Sequence, residues 1–196
     1  MILESRKWRL ILPGLALLIT TALILGYSDL ASYALQTDTP HALYRPSELS
    51  RHGLDGRFTV LRAQADLDRA VALHRDGHTS YWVPVRGYTD KEGAIKLFVL
   101  ADDIHVPATS PAGALADEPF SGRLVRFDDA PHAGDALKLL TTALNDPVAP
   151  DTYVLIEGEA PKVYRPVVPF VGGLGLVWFI SLAAFTRAWR RTPRRR

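Results

Sequence analysis

The stretch LILPGLALLITTALILGY, Leu10–Tyr27, contains no charged residue, and it has a counterpart near the other end of the chain, VVPFVGGLGLVWFISLAAFT, Val167–Thr186. Each is long enough to cross a bilayer, because about 20 residues rising about 1.5 Å apiece match a hydrocarbon core of roughly 30 Å. Arg6, Lys7 and Arg9 precede the first run, and Arg187, Arg190, Arg191, Arg194, Arg195 and Arg196 follow the second. Basic flanks stay on the cytoplasmic side, so the pattern predicts two transmembrane helices with both termini cytoplasmic and residues 28–166 outside. Trp8, Arg9, Arg187, Trp189, Arg190 and Arg191 fall where the cytoplasmic interface is expected, and Tyr27 and Tyr164 at the outer one, as anchoring residues. The first run also has the basic start of a signal peptide, with Ser32-Tyr33-Ala34 as a small-x-small site. Its apolar length exceeds the usual span of roughly 7 to 15 residues for such a signal, and an uncleaved anchor is expected.

The formal charge of +2 hides a segregation. With the two terminal tails set aside, the segment between the apolar runs holds 14 basic and 20 acidic residues, a net of −6. The high pI therefore does not report nucleic-acid binding; the tail arginines suit anionic lipid headgroups instead. Arg outnumbers Lys and Ala is abundant, a composition of GC-rich bacterial genomes, and the expected location is the bacterial inner membrane. The absence of cysteine excludes disulfides, thiolate metal sites and a Cys nucleophile.

The intervening segment of 139 residues suffices for one domain. Residues 28–54, interrupted by Pro40 and Pro46, show no sustained period and read as a stalk or wrapping segment with one helical turn near Ala31 to Leu35, and the domain proper is placed at 55–160. Alternation predicts a strand over 57–62. Asp66 as N-cap, Leu67, Ala70, Val71 and His74 at helical spacing, and Asp76-Gly77 as a stop predict a helix over 66–75. Strands are predicted over 79–88, with Pro84 favouring an edge, and 94–100, joined by a hairpin loop at 89–93. A long loop over 101–119, a strand over 121–127, a helix over 133–145 and a strand over 152–157 complete the series. The order implies an α+β domain with one mixed sheet and two helices on one face, with a small OB-like barrel as the alternative. In the sheet, Phe58, Val60, Tyr81, Val83, Leu97, Val99, Leu124 and Val154 are expected to face the helices, meeting Leu137, Leu140 and Leu144.

Candidate chemistry is sparse. Asp102, Asp103 and His105, and Asp128, Asp129 and His132, each set hard carboxylates beside an imidazole, a donor set adequate for a divalent cation. They also sit where strands end, and Asp and Pro are ordinary turn residues there. His74-x3-His78 has helical chelate spacing, broken by Asp76-Gly77. Glu157-Gly158-Glu159 forms a carboxylate pair at a strand end. No G-x-S-x-G elbow and no glycine-rich phosphate loop occurs. Neither apolar run holds an ionisable residue, so a proton relay or haem ligation within the spans is not expected, and no cofactor is. Gly172-Gly173-x-Gly175 would permit close approach of another helix, the first span among them.

The order of parts resembles the SURF1 family of cytochrome oxidase assembly factors. A run ending in Pro84-Val85 precedes a turn and a hairpin strand, Ser121-Gly122-Arg123-Leu124-Val125-Arg126 is similar to that family's second Gly-started strand, and Trp178-Phe179 falls in the closing span. The likeness covers about 100 residues. No Trp-Gln pair follows the first span, no Arg-Gly-Trp follows the hairpin and no His/Tyr-rich segment leads into the second span, so none of that family's functional residues is carried over. A domain held at the membrane by both ends, with no convergent catalytic set in its sequence, is expected to present a surface and to act non-catalytically as an assembly, scaffold or interaction factor. The resemblance implies an assembly role of that kind. The expected partners are the lipid bilayer and another membrane protein or complex, with a subunit of a larger assembly or a metal-dependent accessory enzyme as alternatives.

Overall fold

A computed structural model describes residues 2–51, 54–75, 77–102, 119–144 and 147–190, with backbone alone for residues 2–9, 46, 50 and 51. The chain divides into two units, one made of both terminal segments, Met1–Leu35 with Lys162–Arg196, and one of Gln36–Pro161.

The first unit is a pair of helices, α1 (Ile2–Ala34) and α5 (Val167–Arg190). Two helical stretches are long and apolar enough to cross a membrane, Leu10–Ala34 within α1 and Pro161–Arg190, which begins ahead of α5 and runs to its end. Leu18, Leu25, Leu176, Phe179 and Ile180 point outward, so the apolar surface of the pair is turned to its surroundings. Polar contacts run between the helices. The indole N–H of Trp178 donates to the Thr21 hydroxyl at 2.9 Å, and Thr20 and Ser181 are buried. Tyr27 meets Phe170 edge to face with ring centroids 5.4 Å apart, and Tyr33 meets Tyr164 at 5.7 Å. The glycines of α5 do not serve the contact with α1, since a Cβ built on Gly172, Gly173 or Gly175 meets nothing within 4 Å. Gly14 of α1 faces the Phe185 ring instead, which a Cβ built on it would meet at 3.7 Å.

The second unit is a mixed sheet of seven strands: β1 (His41–Leu43), β2 (Arg57–Leu61), β3 (Val71–Arg75), β4 (His78–Pro84), β5 (Ile95–Ala101), β6 (Phe120–Arg126) and β7 (Val148–Glu157). Helices α2 (Pro46–Arg51), α3 (Ala133–Leu144) and the single turn α4 (Pro161–Tyr164) complete the chain. The sheet order is β1-β2-β6-β7-β5-β4-β3, parallel at β1/β2 and β5/β7 and antiparallel elsewhere. With β1 and β3 as its two edges it is an open α+β sheet and not a closed barrel, so the OB-like alternative does not hold.

One expectation about elements is overturned. Residues 66–75 form a 3₁₀ turn at Leu67–Arg69 and then strand β3, not a helix. Arg75 pairs with His78, leaving two residues between the strands, and Gly77 sits at φ +81°, where only glycine is at ease. Asp-Gly between alternating runs is a hairpin signal, and it outranks the helical spacing of Leu67, Ala70 and Val71. Of the segment 28–54, the first residues continue α1 to Ala34, and Leu43, Leu49 and Leu54 are wholly or almost wholly buried in the sheet unit. Gln36 ties the start of this unit down, accepting from the Phe58 N–H and donating to the Gly56 carbonyl at 3.0 Å.

Both faces of the sheet are covered, which decides the core. Leu73, Trp82, Phe98, Leu100, Val125, Val154 and Ile156 pack with Ala136 and Leu140 of α3, and Trp82 and Phe127 lie 5.4 Å apart at the centre of that layer. On the other face Val83, Leu97, Val99, Leu124 and Leu155 pack with Leu43, Leu49, Leu54, Ala65 and Tyr88. Of the strand residues expected to face the helices, Val154 packs with α3, whereas Val83, Leu97, Val99 and Leu124 belong to the opposite cluster, with Tyr81 packed against it. A strand buried on both sides reads as a continuous apolar run, and period two cannot say which side a helix will take. In α3, Leu140 is buried and Leu144 packs beside it, but Leu137 is 41% exposed. Pro84 closes β4 beyond the reach of β3, and its carbonyl accepts from the Asp66 N–H at 2.8 Å. Its missing N–H thus costs no ladder bond to a neighbouring strand on that side.

Candidate functional site

Where β5 and β7 finish, on the face covered by α3, the sheet unit opens into a recess of about 240 Å³. Its apolar lining is Leu73, Leu100 and Ile156, all buried members of the α3-side cluster. The polar wall comes from four places in the chain: Arg75, His78 and Ser80 from the β3/β4 hairpin, Asp102 just past β5, His132 just before α3, and Glu157 and Glu159 at the end of β7.

His132 is placed by strain and capping together. It is the non-glycine residue at positive φ, +58°, among the described residues, and its carbonyl accepts the Asp135 and Ala136 N–H groups that open α3. A histidine in this region of backbone space is uncommon, and such outliers persist where the surroundings over-determine them. Its Nδ1 lies 3.1 Å from Arg75 Nη1, and the same nitrogen of Arg75 reaches the Asp135 carboxylate at 2.7 Å. Across the recess Arg123 Nε lies 2.8 Å from Glu159 Oε2, with the two side chains 18% and 22% exposed. Each of these pairs cancels its own charge. The side chains of Asp102 and Glu157 form no ion pair or hydrogen bond among the described residues, and partial burial pushes the Glu157 carboxyl above the ordinary range.

The candidate metal residues are redistributed by the fold. Asp102 and His132, drawn from different triplets, line the same recess, while Asp128 and Asp129 stay exposed on the 3₁₀ turn before it. Asp103 and His105 lie outside the described residues, as does Arg191 among the anchoring residues. Among the described residues no three His, Asp or Glu side chains are grouped so as to hold a metal ion. His74 and His78 do not form a chelating pair, because in a hairpin they point to opposite faces; His74 Nδ1 instead lies 2.7 Å from the Thr79 hydroxyl. Arg75, His78 and Ser80 join the recess only through the β3/β4 hairpin, and the signal that could have found them was the Asp-Gly step between them. Among the anchoring residues, Tyr27 and Tyr164 make the ring contacts described, Trp189 stacks on Phe185 with centroids 6.1 Å apart, and Arg187 and Arg190 occupy the last turn of α5. Trp8 and Arg9 lie within α1.

Compared with known proteins, the chain matches no family model, no curated protein and no solved structure.

Proposed function

We propose that the chain is a two-span protein of the bacterial inner membrane that presents its sheet unit on the outer side as a non-catalytic assembly or interaction factor, with the SURF1-like process, cytochrome oxidase assembly, as the first to examine. The observation that carries this reading is the bracketing of one folded unit by two outward-facing apolar helices, whose basic flanks lie toward the two chain ends. A lipid-like solvent is the environment that such surfaces require. The non-catalytic part is supported by how the charged groups are used: Arg123–Glu159, Arg75–Asp135, Lys96–Asp151 and Arg86–Asp66 are matched to one another.

A specific observation favours a second form of the same reading, a subunit of a larger membrane complex. Gly172, Gly173 and Gly175 offer an open glycine-bearing surface on α5, which suits close approach of a further helix. Affinity purification of the full chain from mild detergent, with and without Gly173→Leu, tests both. Co-purification of defined membrane proteins with the parent chain supports a tethered interaction factor, and their loss in the leucine variant assigns the contact to α5. A chain that emerges alone, with an intact sheet unit, would sink the proposal.

A further inference from the structure

We propose that residues 162–166, with Leu35 beside them, form a collar seated in the outer headgroup layer of the bilayer, where Lys162 holds the phosphate of a glycerophospholipid. The inference rests on the two-span reading and adds the depth at which the lipid surface meets the chain. Pro161–Arg190 is 30 residues of helix, about 45 Å, whereas the hydrocarbon core takes up roughly 30 Å and the whole bilayer about 40 to 45 Å. The uncharged run Val167–Thr186, bounded by Arg187, fills the core, so the residues ahead of Val167 lie at headgroup depth. Two ring contacts carry this level across to α1. Tyr27 meets Phe170 and Tyr33 meets Tyr164, and the step from one pair to the next is six residues along either segment, about 9 Å. Continued by two residues, the same register sets Leu35, whose N–H still donates to the Ala31 carbonyl at 3.2 Å, level with Lys162.

At this level the surface changes character. Leu35 is 72% exposed and Val163 59%, and Lys162, Arg165 and Pro166 are exposed beside them. Successive residues of a helix step by about 100°, so the side chains of 162–166 point all round it except where Tyr164 meets Tyr33. One docked protein would cover one side, whereas a headgroup layer surrounds the helix. Toward the core the apolar surface continues without charge through Phe170, Leu176 and Phe179. Aliphatic groups mixed with cationic heads and tyrosine rings suit the layer between, because the stems lie toward the acyl chains while the charge reaches a phosphate. Lys162 forms no ion pair among the described residues, which leaves its ammonium for that contact.

Nitroxide labelling of the full chain in phospholipid vesicles tests this, and the absence of cysteine lets a single Cys variant report one position. Val163→Cys and Leu35→Cys place labels in the collar. Leu18→Cys places one in the middle of α1, at a side chain 71% exposed, and Glu92→Cys one on an exposed turn of the sheet unit. Oxygen partitions into acyl chains and a nickel chelate stays in water, so the ratio of their effects on power saturation reads depth. Labels 163 and 35 are expected at the depth of the lipid phosphates, between label 18 in the acyl chains and label 92 in water. Lys162→Glu should raise the access of nickel to label 163 about twofold, and Lys138→Glu, on the exposed side of α3, should leave it unchanged. Label 18 in lipid with labels 163 and 35 as aqueous as label 92 would overturn the collar and leave the two spans standing. Label 18 in water would sink the spans and the collar together. Nickel access at label 163 that is indifferent to Lys162→Glu would overturn the phosphate contact.

Discussion

Gly122 of β6 lies so close to Ile156 of β7 that a Cβ built on it would stand 1.8 Å from the Ile156 carbonyl oxygen. The antiparallel pairing of Gly122 with Glu157 therefore needs a residue without a side chain at this position. Gly122→Ala is expected to push β6 from β7 and to cost about 3 kcal/mol or more, at the severe end for a single substitution. Thermal unfolding of the full chain in detergent measures this, and a melting temperature within experimental error of the parent would show that the strands pair more loosely than described.

The two sides of α3 should answer differently to truncation. Leu140 is fully buried against the sheet, so Leu140→Ala should cost about 2 to 5 kcal/mol. Leu137→Ala, on a side chain 41% exposed, should cost well under half of that, and Arg126→Ala less than about 0.5 kcal/mol. Equal losses for Leu137 and Leu140 would mean that α3 is rotated about its axis.

Tyr88 is 2% exposed, and its hydroxyl has no hydrogen-bond partner among the described residues. Burial, with a smaller push from Glu48, raises its ionisation to about 12. The unfolded chain gives up this proton near pH 10, so stability is complete below that pH and is lost as the pH rises from about 10 to about 12. Tyr88→Phe should remove this alkaline loss. Below pH 10 it should be neutral or stabilising, because a buried group without a partner disappears. Urea midpoints at neutral and alkaline pH check both statements, and a marked loss at neutral pH would point to a partner for the hydroxyl.

Glu157 gives a pH effect with the opposite reference. Burial raises its carboxyl above the ordinary value, so the folded chain holds the proton longer than the unfolded one. Its contribution is full below the unfolded value and declines as pH rises through the window up to the raised folded value, beyond which it is flat. Glu157→Gln should therefore gain on the parent as pH passes from about 4 toward neutrality. A difference between parent and variant that stays constant across that range in parallel melts would contradict the assignment.

Orientation is tested by alkaline phosphatase fusions. Activity after Leu100 and none after Arg196 are expected from the basic flanks, and the reverse pattern would invert the topology. The pairing of the spans has its own test: the Trp178–Thr21 hydrogen bond should show a coupling of about 0.6 kcal/mol in a double-mutant cycle with Phe and Val.

The elements readable in advance were those whose signal is local. Leu10–Tyr27 and Val167–Thr186 declared themselves because spanning length and lack of charge are properties of a single run, and the structure extends both into long helices. The strands at Arg57–Leu61, Ile95–Ala101 and Phe120–Arg126 and the helix Ala133–Leu144 lie within a residue or two of their expected places, because alternation and helical spacing are written into neighbouring residues. Residues 66–75 carry a helical spacing at Leu67, Ala70, Val71 and His74, yet Val71–Arg75 is extended, because the pairing with β4 that holds it is formed with residues outside that window.

What only the tertiary structure decided is sidedness and convergence. Val99 and Val154 sit on adjacent parallel strands and are equally apolar, yet they belong to opposite cores, because register and the covering of both faces are set by partners distant in the chain. Asp102 and His132 are 30 residues apart and carry no joint motif; they share a recess because β5 ends beside β7 and α3 begins above them. The sequence by itself determined the two apolar helices and the charge of the tails, which depend on composition over one continuous run. The open sheet and the acidic recess arise from hydrogen bonds and contacts that close only when distant segments meet.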